Sequence, residues 1–493
     1  MSGRRFFQRG HASVPAAALS TGFSSVSRWR LVAAAAFAAA ILLGWFVLSD
    51  WLRGADTDNP AASTPRVGER AMAASPSIID TALAKVDNAS RSFEAEKQLS
   101  GLTHHALSDE GIQRVKPLLG QAEARLIAIY QLISEGAHRE ALVKAEQLVR
   151  DHPNFHLAHL VHGDLLSLQI RPVRHLGDVP DTTANAAAQQ LATLRDESNR
   201  RLRALTERPP EGAVPSQFLS LSPQSRHAIA IDASRSRLYL FENLTPSAGG
   251  ETLTSPPKLK LLGDFYISVG LSGIEKSVEG DKRTPLGVYY ITSTLNPDSL
   301  PDLYGVGALP INYPNPLDQQ RGKTGSGIWL HGTPREQFVR APQASDGCVV
   351  LSNPDLERLL ATVQIRTTPV VIAAELQWVQ PETQEADRRA FAATLEAWRV
   401  AKSEGRPEQL RAFYAGEMPP AATGSSGTGR SGSSRGNPGI ELKDVSMLRW
   451  QDSQDTMVVT FGELPQGQSR GVTRRQYWSL EGGQWKIFHE GTP

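Results

Sequence analysis

Three hydrophobic patterns follow one another along the 493-residue chain. The first is continuous: Leu31 to Ser49 (LVAAAAFAAAILLGWFVLS) is 19 residues without a charge. That is about the length that crosses a bilayer as a helix, and the lack of a polar stripe argues against a helix buried in a soluble core. Arg4, Arg5, Arg9, Arg28 and Arg30 precede it, whereas Asp50, Arg53, Asp56 and Asp58 follow it. Arginines on the leading side hold that side in the cytoplasm. The expectation is a single-pass anchor at 31–49 in the inner membrane, with 1–30 cytoplasmic, Trp45 and Trp51 at the interfaces, and the remaining chain in the periplasm. A cleaved signal peptide is the alternative. Its apolar stretch is ordinarily about 7–15 residues and ends in a small-residue cleavage site, and no clean site of that kind follows here.

The second pattern is helical and covers about 80–207, after a polar linker at 50–79 rich in Ala, Pro and Ser. Within it, EGAHREALVKAEQLVRDHPNFHLAHLVHGDLL resembles a tetratricopeptide repeat. Gly136, Glu140, Ala141 and Pro153 fall at that repeat's turn, second-helix and terminal-proline spacings, and Gly163 falls where a next unit would carry its glycine. An ordinary helical hairpin fits the same stretch. Either way the region offers spacing or contact with protein partners, and no chemistry.

The third pattern is alternating. His227–Asn243 reads as two strands around a polar turn. Lys258–Gly270, Gly287–Thr292, Gly327–Gly332, Gly347–Ser352 and Thr368–Ala374 are further strand candidates. One short helix, Asn353–Val363, interrupts them, with Asn353 expected as its N-cap and Pro354 in its first turn. This gives a mainly-β domain at 216–376. From 380 to 493 the pattern is helical again, then a flexible Gly/Ser-rich loop at 419–439, then four strands. Helices followed by a sheet that ends in RRQYWSLEGGQWKIFHEG resemble the small α+β cone of nuclear-transport-factor-like domains.

Charge adds an exclusion. Lys and Arg number 52 against 51 Asp and Glu, a net charge of +1, which gives no footprint for a nucleic-acid partner. Cysteine usage adds a candidate. Cys348 is the only cysteine, and cysteines of exported proteins usually pair. A lone one is a buried core residue, an intermolecular bridge or a reactive thiol. Its neighbours favour the thiol. Nucleophilic catalysis needs a base and oxyanion donors. His331 ends the apolar strand of IWLHGTP and precedes Cys348 by 17 residues, room for one loop returning to a neighbouring strand. Gly347 lets backbone N–H groups approach a substrate, and Ser345 and Asp346 can fix the loop through side-chain to backbone bonds. A structural histidine and an ordinary Ser-Asp-Gly turn are the bland alternatives for the separate pieces.

Taken together these residues resemble the L,D-transpeptidases with a YkuD-type catalytic domain. His331, Gly332 and Thr333, then Ser345, Gly347, Cys348 and Asn353, match that family's motif, and Gly280, Lys282, Thr284, Pro285 and Gly287 match its upstream G-x-K-x-TP-x-G segment. The resemblance implies a β-sandwich-like fold, no metal and no cofactor, and peptidoglycan stem peptides as substrate. It makes Cys348 the nucleophile, His331 the base and later the acid, and the carbonyl of Gly332 the group that orients the imidazole. Gly347, Ser345, Asp346 and Thr333 would form the substrate-binding and oxyanion side. Two positions depart from the family: Asp346 stands where it usually has His, and Val350 where it often has Arg. An anion beside Cys348 tends to raise the thiol pKa, which a protonated His331 would offset by pairing with the thiolate. The expected activity is cross-linking, D-amino-acid exchange or protein attachment through a thioester. A hydrolase or carboxypeptidase on the same scaffold and a non-catalytic wall-assembly scaffold are the alternatives.

Overall fold

The computed structural model describes residues 118–179, 186–246, 255–418 and 439–493. The expected anchor, the linker and the first part of the helical region lie outside the described residues. Among those described, no helix is long and apolar enough to cross a membrane.

The helical pattern gives α1 (Gln121–Ser134), α2 (His138–Asp151), α3 (His156–Ser167) and α4 (Ala188–Thr206). Gly136, at φ +75°, makes the α1–α2 turn. Leu126, Ile127, Tyr130, Ala141, Leu148, Phe155 and Val161 close a core of their own. This core is fastened to the rest of the chain by charge. Glu123 of α1 is fully buried and accepts from Arg237 at 2.8 Å and from Arg201 of α4 at 2.9 Å, while Arg237 also holds Asp264 at 2.6 Å. Burial pushes the Glu123 carboxyl up, but the two guanidiniums outweigh it and hold it below its ordinary value.

The alternating pattern gives β1 (Val214–Pro215), β2 (Phe218–Ser220), β3 (His227–Asp232), β4 (Arg237–Asn243), β5 (Leu259–Tyr266), β6 (Val269–Gly270), β7 (Gly287–Tyr290), β8 (Ala308–Pro310), β9 (Trp329–His331), β10 (Gln343–Ser345), β11 (Val349–Val350), α5 (Asn353–Thr362), β12 (Pro369–Ala373) and β13 (Trp378–Val379). A main sheet runs β5-β4-β3-β12-β7. A smaller one, β11-β9-β8, carries the expected site residues. After these come α6 (Glu385–Ser403), β14 (Ile440–Gln451), β15 (Asp455–Pro465), β16 (Val472–Glu481) and β17 (Gln484–Gly491). The last four strands form an antiparallel meander to which β2 adds a fifth strand beside β14. The domain drawn at 216–376 therefore includes a strand of another sheet: Phe218–Ser220 belongs to the C-terminal layer. Three residues carry too short a pattern to say which sheet they join.

The main sheet is buried on both faces, and its two sets of side chains go to different partners. Ile229, Ile231, Leu238, Leu240, Val370 and Ile372 pack with Leu330, Val349, Leu356 and Leu359 around the small sheet and α5. Ala228, Ala230, Tyr239, Phe241, Val371 and Ala373 meet Leu448, Trp450, Val458 and Tyr477 of the C-terminal sheet. The alanines of HAIAID thus lie where two sheets approach closely, and the isoleucines where the core is deeper. The far face of the C-terminal sheet holds Phe391, Leu395 and Trp398 of α6. The C-terminal unit consequently covers the face of the main sheet opposite the small sheet, not the small sheet itself.

Candidate active site

Two short strands set the geometry. β11 pairs in parallel with β9, Val349 opposite Leu330 and Val350 opposite His331. Cys348 enters β11 one residue earlier, so Cys348 and His331 leave the same face of the small sheet, one diagonal step apart. Their burial differs. His331 is 3% exposed, whereas Cys348 is half-buried. The thiol donates to the Gly327 carbonyl at 3.5 Å.

His331 is held in one tautomer. Its Nδ1 lies 2.7 Å from the Gly332 carbonyl oxygen. A carbonyl only accepts, so Nδ1 carries the proton and Nε2 is left with a lone pair. Burial pushes the imidazole pKa down to about 4, against the Gly332 bond and with a further push from the Arg340 charge. The thiol moves the other way: burial raises it, more than the Trp329 amide and Arg340 lower it, and Asp346 raises it further. At neutral pH the resting pair is therefore an uncharged thiol beside an uncharged imidazole. Pairing of a protonated His331 with the thiolate, the offset considered from the sequence, runs against both shifts, because burial disfavours either charge.

The turn before Cys348 is braced from behind. Gly347 takes φ +121°, and a Cβ there would meet the Arg283 carbonyl at 2.7 Å. Thr284 of the upstream motif donates to the Gly347 carbonyl at 2.9 Å and accepts from Gly270 N–H at 2.9 Å. Ser345 is buried; its hydroxyl donates to the Cys348 carbonyl at 2.6 Å and accepts from Gly347 N–H at 3.1 Å. Ser345 thus fixes the loop by side-chain to backbone bonds, as the sequence suggested, and two other expected contacts have partners inside the protein. The Gly347 N–H is already bonded, Ser345 shapes the turn, and Thr333 is fully buried, donating to the Phe338 carbonyl at 3.2 Å. Asp346 stays exposed, 3.7 Å from Lys282.

Asn353 is corrected too. The N-cap of α5 is Ser352, whose hydroxyl accepts from Asp355 N–H. The Asn353 side chain instead spans two loops: it accepts from Thr333 N–H at 3.1 Å and Val306 N–H at 3.3 Å, and donates to the Thr333 carbonyl at 2.9 Å. It clamps the segment that follows His331.

Two residues escaped the sequence reading. Tyr304 sets its ring edge-on to His331, centroids 5.0 Å apart, and packs on Trp329 at 4.8 Å. Arg340 lies in the electrostatic reach of Cys348, Asp346 and Tyr304.

Residues 226–372 match the family model of YkuD, the L,D-transpeptidase catalytic domain. The middle of this chain is therefore an L,D-transpeptidase-family domain, a family that acts on peptidoglycan. Comparison with curated proteins gives no match. Among solved structures, Bd1075 of Bdellovibrio bacteriovorus aligns at 22% identity and TM-score 0.45, covering 57% of this chain and 98% of that one. The helical cell shape determining protein Pgp2 of Campylobacter jejuni aligns at 20% identity and TM-score 0.42, covering 56% of this chain and 96% of that one.

Proposed function

We propose that the chain is a membrane-anchored, periplasm-facing L,D-transpeptidase that transfers peptidoglycan stem peptides through a thioester on Cys348, with the C-terminal unit as a nuclear-transport-factor-like cone. The observation that carries the chemistry is His331: buried, neutral, its Nδ1 proton committed to Gly332, on the strand that pairs with the one Cys348 opens.

Nε2 takes the thiol proton as Sγ attacks the carbonyl of the third, diamino-acid residue. The Cys348 N–H has no turn or loop carbonyl as partner among the described residues and serves as the donor to the developing oxyanion. On collapse the C–N bond breaks, and the imidazolium gives its proton to the nitrogen of the departing D-alanine. An acceptor amine then attacks the thioester, loses its proton to Nε2, and the thiol is re-formed. A neutral resting pair suits this route, since the base is already unprotonated at pH 7.

The test is mass spectrometry of the full-length protein in detergent after incubation with stem tetrapeptide and a D-amino acid. The expected products are a tripeptide thioester on Cys348 and an exchanged tetrapeptide, both absent in Cys348→Ala. Free tripeptide without any amine adduct would make the protein a hydrolase, and no adduct at all would remove the enzymatic reading.

A further inference from the structure

Three cations act on Cys348 or on its neighbour Asp346, and two of them are spoken for. Lys276 is buried, donating to Asp281 at 2.8 Å and to the Val278 carbonyl at 3.0 Å. Lys282 stands at the surface beside Asp346. Arg340 is different. Its guanidinium is half-buried, and its contact is the Leu303 carbonyl at 3.5 Å, long for a charge-assisted bond, which closes to about 2.7–2.9 Å. Among the described residues no carboxylate lies within ion-pair distance of it. A half-buried guanidinium with five donors and one long protein acceptor has donors open to an anion.

Its aim is fixed by its neighbours. Gln337, Val339 and Ala341 line one cleft against α3 and α4. Arg340, between the last two, turns to the other side, toward Leu303 and Tyr304. The backbone on either side is pinned: Tyr266 donates to the Arg340 carbonyl at 3.0 Å, and Val269 N–H donates to the Pro342 carbonyl at 2.9 Å.

We propose that Arg340 is the carboxylate receptor of the site, holding the free C-terminal carboxylate of the stem peptide whose last peptide bond Cys348 attacks. The inference rests on the reading that Cys348 acts on stem peptides. When the leaving group is a single terminal residue, its carboxylate lies about one residue, roughly 3.8 Å, beyond the attacked carbonyl. A guanidinium on the Leu303–Tyr304 side of the site, where the Tyr304 ring lies edge-on to His331 at 5.0 Å, is placed to meet that anion, and its planar fork matches a carboxylate. Arg340 would therefore select stems that end one residue past the scissile bond in a free acid, and reject amidated ones.

The experiment compares a stem tetrapeptide bearing a terminal carboxylate with the same peptide as its terminal carboxamide. Full-length wild type, Arg340→Lys and Arg340→Ala are assayed for kcat/KM on each. The expected result is a wild-type preference for the acid of about 10–100-fold, the range for a hydrogen bond to a charged group. Arg340→Ala should collapse that preference, and Arg340→Lys should keep part of it. Equal losses on both peptides, or no preference in the wild type, overturn the inference and leave Arg340 a partner of the thiolate. If the wild type turns over neither peptide, the functional reading has failed, and calorimetry in the Cys348→Ala background decides the inference separately. Binding of the acid over the amide that disappears with Arg340→Ala upholds it; equal binding of the two overturns it.

Discussion

At the scale of single residues, the site depends on how its polar groups are held in a poorly solvated place. His331 makes the pH prediction. Its base form is the unprotonated one, and its pKa is pushed down to about 4, so activity should be flat from about pH 5 to 8 and fall only as pH drops toward 4. The resting thiol, raised by burial, should alkylate slowly with iodoacetamide at neutral pH and faster only in the alkaline range. An acid limb near the ordinary histidine value of about 6.5 would show that His331 is solvated in the working enzyme. Asn353 makes the second. Asn353→Ala removes three bonds from the loop behind His331 and should cost about 2–3 kcal/mol of stability, with each net bond worth roughly 1 kcal/mol. Activity measured well below the melting temperature should fall with it; full activity would show that His331 needs no clamp. Of these residues, Cys348 and His331 were legible as chemical types at a suggestive spacing. Ser345 was legible as a brace of the loop, and its bonds to Cys348 and Gly347 have that form; the bonding of Gly347 and Thr333 was not, because a motif does not say which polar groups are already satisfied by one another.

At the scale of elements, the helices and the active-site loop meet at Phe338. It is buried in the helical core, stacks on Phe155 at 4.6 Å and His152 at 4.9 Å, and its N–H donates to the Asn154 carbonyl at 3.2 Å. Asn154 in turn donates to the Arg335 carbonyl at 2.9 Å. The turn containing Pro153 thus grips the loop between His331 and Cys348. Phe338→Ala should destabilise the chain by about 3–5 kcal/mol and lower turnover through the loop it frees, seen as a fall in both melting temperature and kcat/KM; unchanged turnover would uncouple helices from site. The buried ion network makes a companion test. Glu123→Ala leaves Arg237 and Arg201 short of a counter-charge and should cost about 3–5 kcal/mol in chemical denaturation, whereas a loss under 1 kcal/mol would mean the guanidiniums find other partners. Helix and strand periods foretold most of these elements, His227–Asn243 and the C-terminal meander most clearly. That α2 and α3 would hold the loop between His331 and Cys348 was not foretold, since Asn154 and Phe338 are 184 residues apart in sequence and share no pattern.

For the whole molecule, the C-terminal sheet is a structural layer of the catalytic unit. It covers Ala228, Ala230, Tyr239, Phe241, Val288, Tyr290, Val371 and Ala373 and takes in β2 as an edge strand. Arg475 lies over the Tyr290 ring at 3.3 Å, and Arg321 holds Asp452 with two bonds of 2.6 and 2.7 Å. Ending the chain at residue 379 would expose that apolar face and leave β2 unpaired, so the truncated protein should aggregate or elute as large oligomers in size-exclusion chromatography. A monodisperse, active fragment would show the layer to be dispensable.

The sequence by itself determined what depends on neighbours in the chain: where periods change, which segments are strands or helices, and which residues bear reactive groups. It also carried the motif of the catalytic family, because that motif is a local turn and a local strand end. The tertiary structure decided what depends on distant partners. It paired β2 with β14, gave Asn353 to the His331 loop, turned Arg340 toward Leu303 and Tyr304, and buried His331 so that its imidazole pKa falls. Each of these follows from the packing of surfaces far apart along the chain, and burial and pairing at such a distance are properties of the fold and not of any window of sequence.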